Sequence, residues 1–405
     1  MNESVAPLQG FVRSDGRKGI RNVVVVAYLV ECAHHVSRRI AQHFDDLDVH
    51  LIGFPGCFPN QYASRMMRAL TTHPNVGAVL LVSLGCESMD RDALREHIAG
   101  SGRPVDLLVI QETGGTAATI AAGIEKVGAM RTELAGQSPV PMSLDELVVG
   151  TICGGSDGTS GITANPAVGR CFDHLVAEGT ACVFEETGEL IGCEDIMAER
   201  AVTPELGELI QACVAKAERY YRTMGFGSFA PGNADGGLTT LEEKSMGAYS
   251  KSGASPISGL IKPGDIPPSG GLYLLDVVPD GEPRFGFPNI ADNAEIVEMI
   301  ASGCHLTLFT TGRGSVVGSA ISPVIKVCAN PETYQRLSED MDVNAGKILT
   351  GEASLDDVGE EIYQRVKAVA AGERSVSEAL GHQEFILTYK SFEPIGPGCL
   401  PVRQV

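Results

Sequence analysis

Three short valine-rich runs dominate the first part of the chain: NVVVVAY at residues 22–28, VGAVLLV around residue 80 and VDLLVI at residues 105–110. Between and after them lie segments whose apolar residues recur with helical spacing, at His34–Phe44, Asn60–Leu70 and Arg91–Ala99. A strand that is apolar at almost every position has to be covered on both faces, and a helix between successive strands makes them parallel. The class is therefore α/β, with parallel or mixed sheets flanked by helices.

Prolines and serines gather in MRTELAGQSPVPMSLDEL, residues 130–147, and place a boundary near Pro139. The expected layout is an N-terminal α/β domain over residues 1–138 and a larger C-terminal α/β domain over 139–405. The second begins with the strand LVVGTI, followed by a helix from about Pro166, a strand near Cys182 and a helix from Thr203 to Met224. LYLLDVV and HLTLFTT read as further strands, and residues 331–371 as mostly helical. Residues 226–270, rich in glycine and serine, read as a long functional loop.

With 31 basic against 51 acidic residues the net charge is −20, which repels nucleic acid and anionic membrane surfaces. A small acidic substrate then needs local arginine, lysine or metal. The N-terminus lacks the apolar core of a secretory signal and no apolar run is long enough to span a bilayer, so a soluble, cytoplasmic protein is expected. Eleven cysteines in a chain of 405 residues read as reduced thiols rather than a disulfide framework. The 48 glycines point to tight turns and close backbone approach, as in a small-ligand enzyme.

Four strand ends run straight into polar glycine segments: LVSLGCES, LVIQETGGT, VVGTICGGSDG and LTLFTTGRGS. Ligands of open parallel sheets bind beyond the carboxyl ends of the strands, which puts the active site in the cleft between the two domains. In IQETGGT, Glu112, Thr113 and Gly114 stand where backbone N–H groups can hold an anionic oxygen; the competing reading is an ordinary helix start with Thr113 as cap. Cys57, Cys86 with its neighbour Glu87, and Cys153 are candidate ligands for iron or an iron–sulfur cluster. Their spacings of 29 and 67 residues match no compact zinc or ferredoxin pattern, so each alone also reads as a small buried residue.

Ser156, Asp157, Thr163 and Asn165 in SDGTSGITANP form a second polar glycine loop, suited to substrate or to a capped turn. Glu186, Glu189 and Glu194 in FEETGELIGCED can hold a hard cation, act as acid and base, or simply be solvated. Lys244 in LEEKSMG, and Arg313 set between two glycines in TTGRGS with Thr311 and Ser315 beside it, are the cationic partners for an acid substrate. His34 and His35 lie in a helical segment, where packing or a surface position is more usual than ligation.

Together GFVRSDGRKGIRN, LVSLGCE, IQETGGT, CGGSDGTSGITANP, EETGE, GNADGGLTTLEEKSMG, FTTGRGSVVGSAISPVIKV and DVNAGKIL resemble the altronate and galactarate dehydratase family, in order and through nearly the whole chain. The resemblance implies a lyase that takes the proton alpha to a carboxylate, expels the beta hydroxyl and leaves a 2-oxo acid. It implies Fe2+ or another divalent metal, a base at Lys244 or a glutamate such as Glu186, and Arg313 against the enediolate charge. It also makes Arg17, Arg21 and Asn22 of the first motif candidate substrate contacts.

Two departures from the family pattern stand out. GRKGIRN begins at residue 16, where altronate-type members carry a small domain ahead of it, so a separate small subunit and a homo- or hetero-oligomer are implied. Gly53 stands four residues before Cys57, where sugar-acid members tend to have histidine. Split organisation resembles the sulfolactate sulfo-lyase branch, in which sulfite leaves and pyruvate forms. A non-catalytic sugar-acid-binding subunit is the reading from another class.

Overall fold

The computed structural model describes residues 7–44, 48–225, 231–282 and 291–390. A hairpin opens it, β1 (Gln9–Val12) against β2 (Lys18–Gly19), with Phe11 opposite Gly19. Then β3 (Val23–Tyr28), β4 (Val49–Gly53), β5 (Val76–Ser83) and β6 (Val105–Val109) form an all-parallel sheet in the order β4-β3-β5-β6. Val23, Val25 and Ala27 join one apolar cluster and Val24 and Val26 another, the two-residue alternation of a strand buried on both faces.

Helices Gln61–Thr71 and Arg91–Gly100 cover the first face, and Glu31–Ala41 with Thr116–Ala135 cover the second. Gly123 lets the last two approach, because a Cβ there would overlap Ile40. The helix expected at His34–Phe44 begins three residues earlier, since Ala33, Val36 and Ile40 set its buried stripe and His43 and Phe44 fall in the closing turn.

Past helix Thr116–Ala135, β7 (Val140–Pro141) returns to pair with β1. The remaining strands are β8 (Val148–Cys153), β9 (Ala181–Phe184), β10 (Ile257–Ile261), β11 (Gly271–Leu275), β12 (Leu306–Thr311), β13 (Val324–Cys328) and β14 (Val343–Asn344). They make a seven-stranded parallel sheet in the order β10-β11-β9-β8-β12-β13-β14. Helices Ala164–Ala177, Pro204–Met224 and Leu355–Ala370 pack on one face. Helix Asp292–Ala301 lies on the other, where Ile296 and Ile300 share a cluster with Met66 and Leu70, so one apolar core runs through both halves. The chain lays β8 first, then β9 on one side and β12 on the other, which makes the carboxyl ends of β8 and β12 the topological switch point.

Two stretches differ from the sequence reading. The described part of 226–270 is not a loop: it holds helices Pro231–Asp235 and Leu241–Tyr249, a tight turn at Ser250–Ser252 and β10. Thr240 caps the second helix by accepting from Glu243 N–H, while the Glu243 carboxylate accepts from Thr239 N–H at 2.7 Å. Residues 226–230 lie outside the described residues. The segment 331–371 is divided by β14 between helices Pro331–Arg336 and Leu355–Ala370. Among the described residues no helix is long and apolar enough to cross a membrane.

The two halves are also joined by buried polar groups. Asn75 accepts from Ile20 N–H at 3.0 Å and donates to the carbonyls of His305 (3.0 Å) and Ile321 (3.2 Å). His305 Nδ1 accepts from Val148 N–H at 2.9 Å, which leaves Nε2 to donate to the Lys18 carbonyl at 2.8 Å. Burial pushes the His305 imidazole down to about 4. A depressed histidine favours unfolding when protonated, so its contribution is complete above the ordinary value of about 6.5 and is lost as pH falls towards 4. Urea denaturation should show about 2 kcal/mol lost between pH 7 and pH 5 from this group. His305→Gln should flatten that slope; an unchanged slope would remove His305 from the account.

Candidate active site

At the switch point β8 ends on Cys153, and the chain turns through Gly154 and Gly155, the latter at φ +63°, into Ser156 and Asp157. Next to it β9 ends on Phe184 and runs directly into Glu185 and Glu186. Glu186 holds a left-handed φ of +77°, a conformation that costs a side-chain-bearing residue about 1–3 kcal/mol and persists where the surroundings enforce it. It leads into the turn Thr187–Leu190, which brings Glu189 back over the same point. Gly188 sits against the Tyr221 ring, where a Cβ would not fit.

Cys153 Sγ therefore lies 3.4 Å from Glu186 Oε1 and 3.5 Å from Glu189 Oε2. Glu186 Oε2 accepts from Cys153 N–H at 3.0 Å and is ion-paired to Lys251, while Glu189 Oε1 is ion-paired to Lys244. Both lysines are buried. Each carboxylate thus gives one oxygen to a lysine and turns the other towards the thiol. Ser156 Oγ stands 3.5 Å from the same sulfur, and the Asp292 carboxylate lies over Gly154, so close that a Cβ there would overlap it.

Burial, reinforced by Glu186, holds the Cys153 thiol well above its ordinary range. Burial and the facing Glu189 also push Glu186 up; burial acts on Glu189 in the same sense, but Lys244 and Lys251 bring it below the usual carboxylate range. Lys244 is opposed by burial, yet Glu189 keeps it charged. Crowding by protein, with the Glu189 charge added, pushes Asp292 up to about 6. One thiol and two carboxylate oxygens lying within 4.8 Å of one another are a mixed sulfur and oxygen donor set for a divalent metal, and a bound cation would supply the charge that the thiol needs to ionise. Beside the triad a cleft of about 400 Å3 is walled by Ser156, Asp157, Asn165, Lys244 and Met246.

Of the other candidates of this half, Asp157 and Asn165 line the cleft and the rest lie on neighbouring segments. Asp157 accepts from Thr159 N–H at 2.9 Å and from Asn330 Nδ2 at 3.0 Å, and lies directly under Gly312, so it shapes the loop carrying Arg313. Arg313 is exposed and donates to the Gly232 carbonyl at 2.7 Å. In that loop Thr311 Oγ1 accepts from Gly314 N–H, and Ser315 Oγ from Val317 N–H. Asn165 accepts from Thr310 and donates to the Gly247 carbonyl, fixing the helix that bears Lys244; Thr163 donates to the Ala329 carbonyl.

The remaining candidates, Glu194 apart, sit in the first half, and none hydrogen-bonds or ion-pairs with the Cys153 cluster among the described residues. Cys57 and Cys86 are exposed on adjoining loops, where Ser88 N–H donates to the Cys57 carbonyl, and neither is in the triad. Glu87 accepts from Gly85 N–H, and Glu112 is exposed 3.6 Å from Arg91. Thr113 donates to the Val109 carbonyl rather than capping the next helix, whose cap is Gly115 after Gly114 at φ +104°. Arg21 clasps Glu378 through two bonds of 2.7 and 2.8 Å, Arg17 holds Asp15 and the Thr72 carbonyl, and Asn22 donates to Gln137. Gly53 lies flush on the Tyr28 ring, which leaves no room for a side chain. His34 pairs with Glu31 on the helix surface, and Glu194 accepts from Gly192 N–H away from the triad.

Sequence reading did not single out Lys251, Asp292 or Glu185. Lys251 had a signal, since it follows Lys244 by seven residues, two helical turns, with only the turn at Ser250 between helix and lysine. Asp292 and Glu185 had none beyond their charge.

Residues 144–392 match the model described as D-galactarate/Altronate dehydratase, C-terminal, and residues 10–135 match D-galactarate dehydratase/Altronate hydrolase, second domain. The chain belongs to the galactarate and altronate dehydratase family. It is 33% identical to the (2R)-sulfolactate sulfo-lyase subunit beta of Chromohalobacter salexigens, over 94% of this chain and 96% of that one. It is 30% identical to the altronate dehydratase of Bacillus subtilis over 90% of this chain and 74% of the relative. Identity to the galactarate dehydratase (L-threo-forming) of Escherichia coli is 30%, over 76% and 59%. All are lyases by name, and this family member is a lyase.

If the triad is the metal centre, anaerobic loading with ferrous iron followed by desalting should leave metal on the wild type. Cys153→Ser and Glu189→Gln should bind it about 100-fold more weakly. Cys57→Ser and Cys86→Ser should bind as the wild type does; the reverse pattern would move the centre to the first half.

Proposed function

We propose that this chain carries out a metal-assisted α,β-elimination on a 2-hydroxy-carboxylate, dehydrating a sugar acid of the altronate or galactarate type to a 2-oxo acid. The observation that carries it is the pairing of Cys153, Glu186 and Glu189 with a buried, charged Lys244 on the wall of one cleft. The donor set fits a divalent ion, with Fe2+ as the reading from the sequence. Held by those three residues, such an ion supplies Lewis-acid stabilisation of negative charge on the substrate carboxylate.

The protein's own groups divide the remaining work. Lys244 is kept protonated by Glu189, so it serves as the acid that hands a proton to the departing hydroxyl rather than as the base. We assign removal of the C2 proton to the Asp292 carboxylate, which lies over Gly154 next to Cys153. The C2–H electron pair forms the C2–C3 double bond as hydroxide leaves C3 as water, and the enol tautomerises to the 2-oxo acid. Arg313, on the rim between two glycines, holds the substrate carboxylate, with Ser156 and Asp157 lining its path. Ten described cysteines are all free, which suits a reducing compartment and the cytoplasm.

A second reading is sulfite elimination from a sulfolactate, favoured by likeness to the sulfo-lyase subunit over 96% of that relative. In that case a separate small subunit completes the enzyme. Sulfite departs as a stable anion, so the reaction asks much less of an acid at Lys244.

Anaerobic assays with ferrous iron on altronate, galactarate and 3-sulfolactate, with and without any co-purifying small subunit, decide between them. Water loss to a 2-oxo acid from a sugar acid is expected, with Lys244→Met lowering kcat by about 10²–10⁴. Arg313→Ala should lower kcat/KM by about 100-fold. Sulfite release selects the second reading, and full turnover by both variants would contradict the assigned roles.

A further inference from the structure

Away from the triad, a cleft of about 600 Å3 opens between helix Gln61–Thr71 of the first half and the turns at Gly264 and Gly303 of the second. Its fifteen lining residues include no carboxylate, although 51 of the 405 residues are acidic. They include Arg17, Arg65, Arg68, His73 and His97, and the further polar side chains Asn60, Gln61, Ser64 and Thr72.

Burial pushes both histidines below their ordinary value, so the positive charge of the cleft is that of the arginines, and it is incompletely paired. Arg17 has Asp15 at 2.7 Å and Arg65 has Asp265 at 2.5 Å, both on the margin. Arg68 is exposed and makes no side-chain hydrogen bond or ion pair among the described residues. Behind the wall, Arg13 and Arg103 hold the backbone carbonyls of the 72–76 turn, and Arg103, only 5% exposed, leaves its Nη1 without a hydrogen-bond partner among the described residues. Burial opposes the charges of Arg13 and Arg103, Arg103 repels Arg13 and Arg17 repels Arg103, and Asp15 is the counter-charge acting on Arg13 and Arg103.

We propose that this cleft binds a small, multiply charged, acceptor-rich anion, of the phosphate-ester or polycarboxylate class, at a site separate from the lyase centre. Guanidinium forks match such oxygens bidentately, and a chain of net charge −20 concentrates this many cations only at a local cost in repulsion that an anion relieves. The ligand would touch both halves. It would also reach Ala301 and Gly303 at the end of the helix whose first residue, Asp292, stands over the triad.

The test uses inorganic pyrophosphate as the probe, followed by calorimetry and thermal unfolding, with sodium chloride at matched ionic strength as control. Saturable binding and a raised Tm are expected, with Arg68→Glu weakening affinity at least tenfold and Arg313→Ala leaving it unchanged. Arg68 is exposed, so the variant should unfold at the wild-type temperature without the probe. Equal stabilisation by sodium chloride, or loss of binding in Arg313→Ala but not in Arg68→Glu, would overturn the proposal.

Discussion

Everything at the carboxyl edge of the large sheet depends on two glutamates being shared between a thiol and two buried lysines. Four charged groups in that space carry a desolvation penalty of several kcal/mol each, which close pairing has to offset. Lys251 with Glu186, and Lys244 with Glu189, provide the pairing. Because each lysine takes a single oxygen, both carboxylates are turned so that their other oxygens meet at Cys153 Sγ. The lysines thereby act as orienting partners for a ligand set, and one of them also faces the cleft.

The fold delivers these groups by short routes. Cys153 is the last residue of β8, and Glu186 comes two residues after β9 ends, so the positions of thiol and carboxylate follow from strand pairing rather than from a long loop. The left-handed backbone at Glu186 and the contact of Gly188 with Tyr221 complete the return to Glu189. Helix Asp292–Ala301 serves twice: its apolar residues join the core shared with helix Gln61–Thr71, and its first residue stands over Gly154. The same helix carries Glu298, which forms a buried ion pair with Lys390 at 2.6 Å and accepts from Tyr62 of the first half at 2.7 Å.

The parallel sheets were legible because strands buried on both faces leave runs such as Val23–Ala27 that few other structures require. Of the four strand-end motifs, those holding Cys153, Ser156 and Asp157 and holding Arg313 end neighbouring strands of the large sheet, while those holding Cys86 and Glu112 end strands of the other sheet. Spacing along the chain carries no information on which rim a cysteine joins, so Cys57 and Cys86 looked equivalent to Cys153 until the sheets separated them. Arg21 illustrates a different limit. Its partner Glu378 is 357 residues away, and nothing local marks this arginine as a clasp between elements rather than a substrate contact. Residues 226–270 looked like a loop because glycine and serine mask a helix whose start is set by the Thr240 cap.

The most direct test of the central claim is X-ray absorption at the metal edge of the anaerobically loaded wild type and of Cys153→Ser. The account requires one sulfur scatterer at about 2.3 Å among oxygen ligands, lost in the variant. A shell of oxygen and nitrogen alone in the wild type, or sulfur that survives in Cys153→Ser, would contradict it.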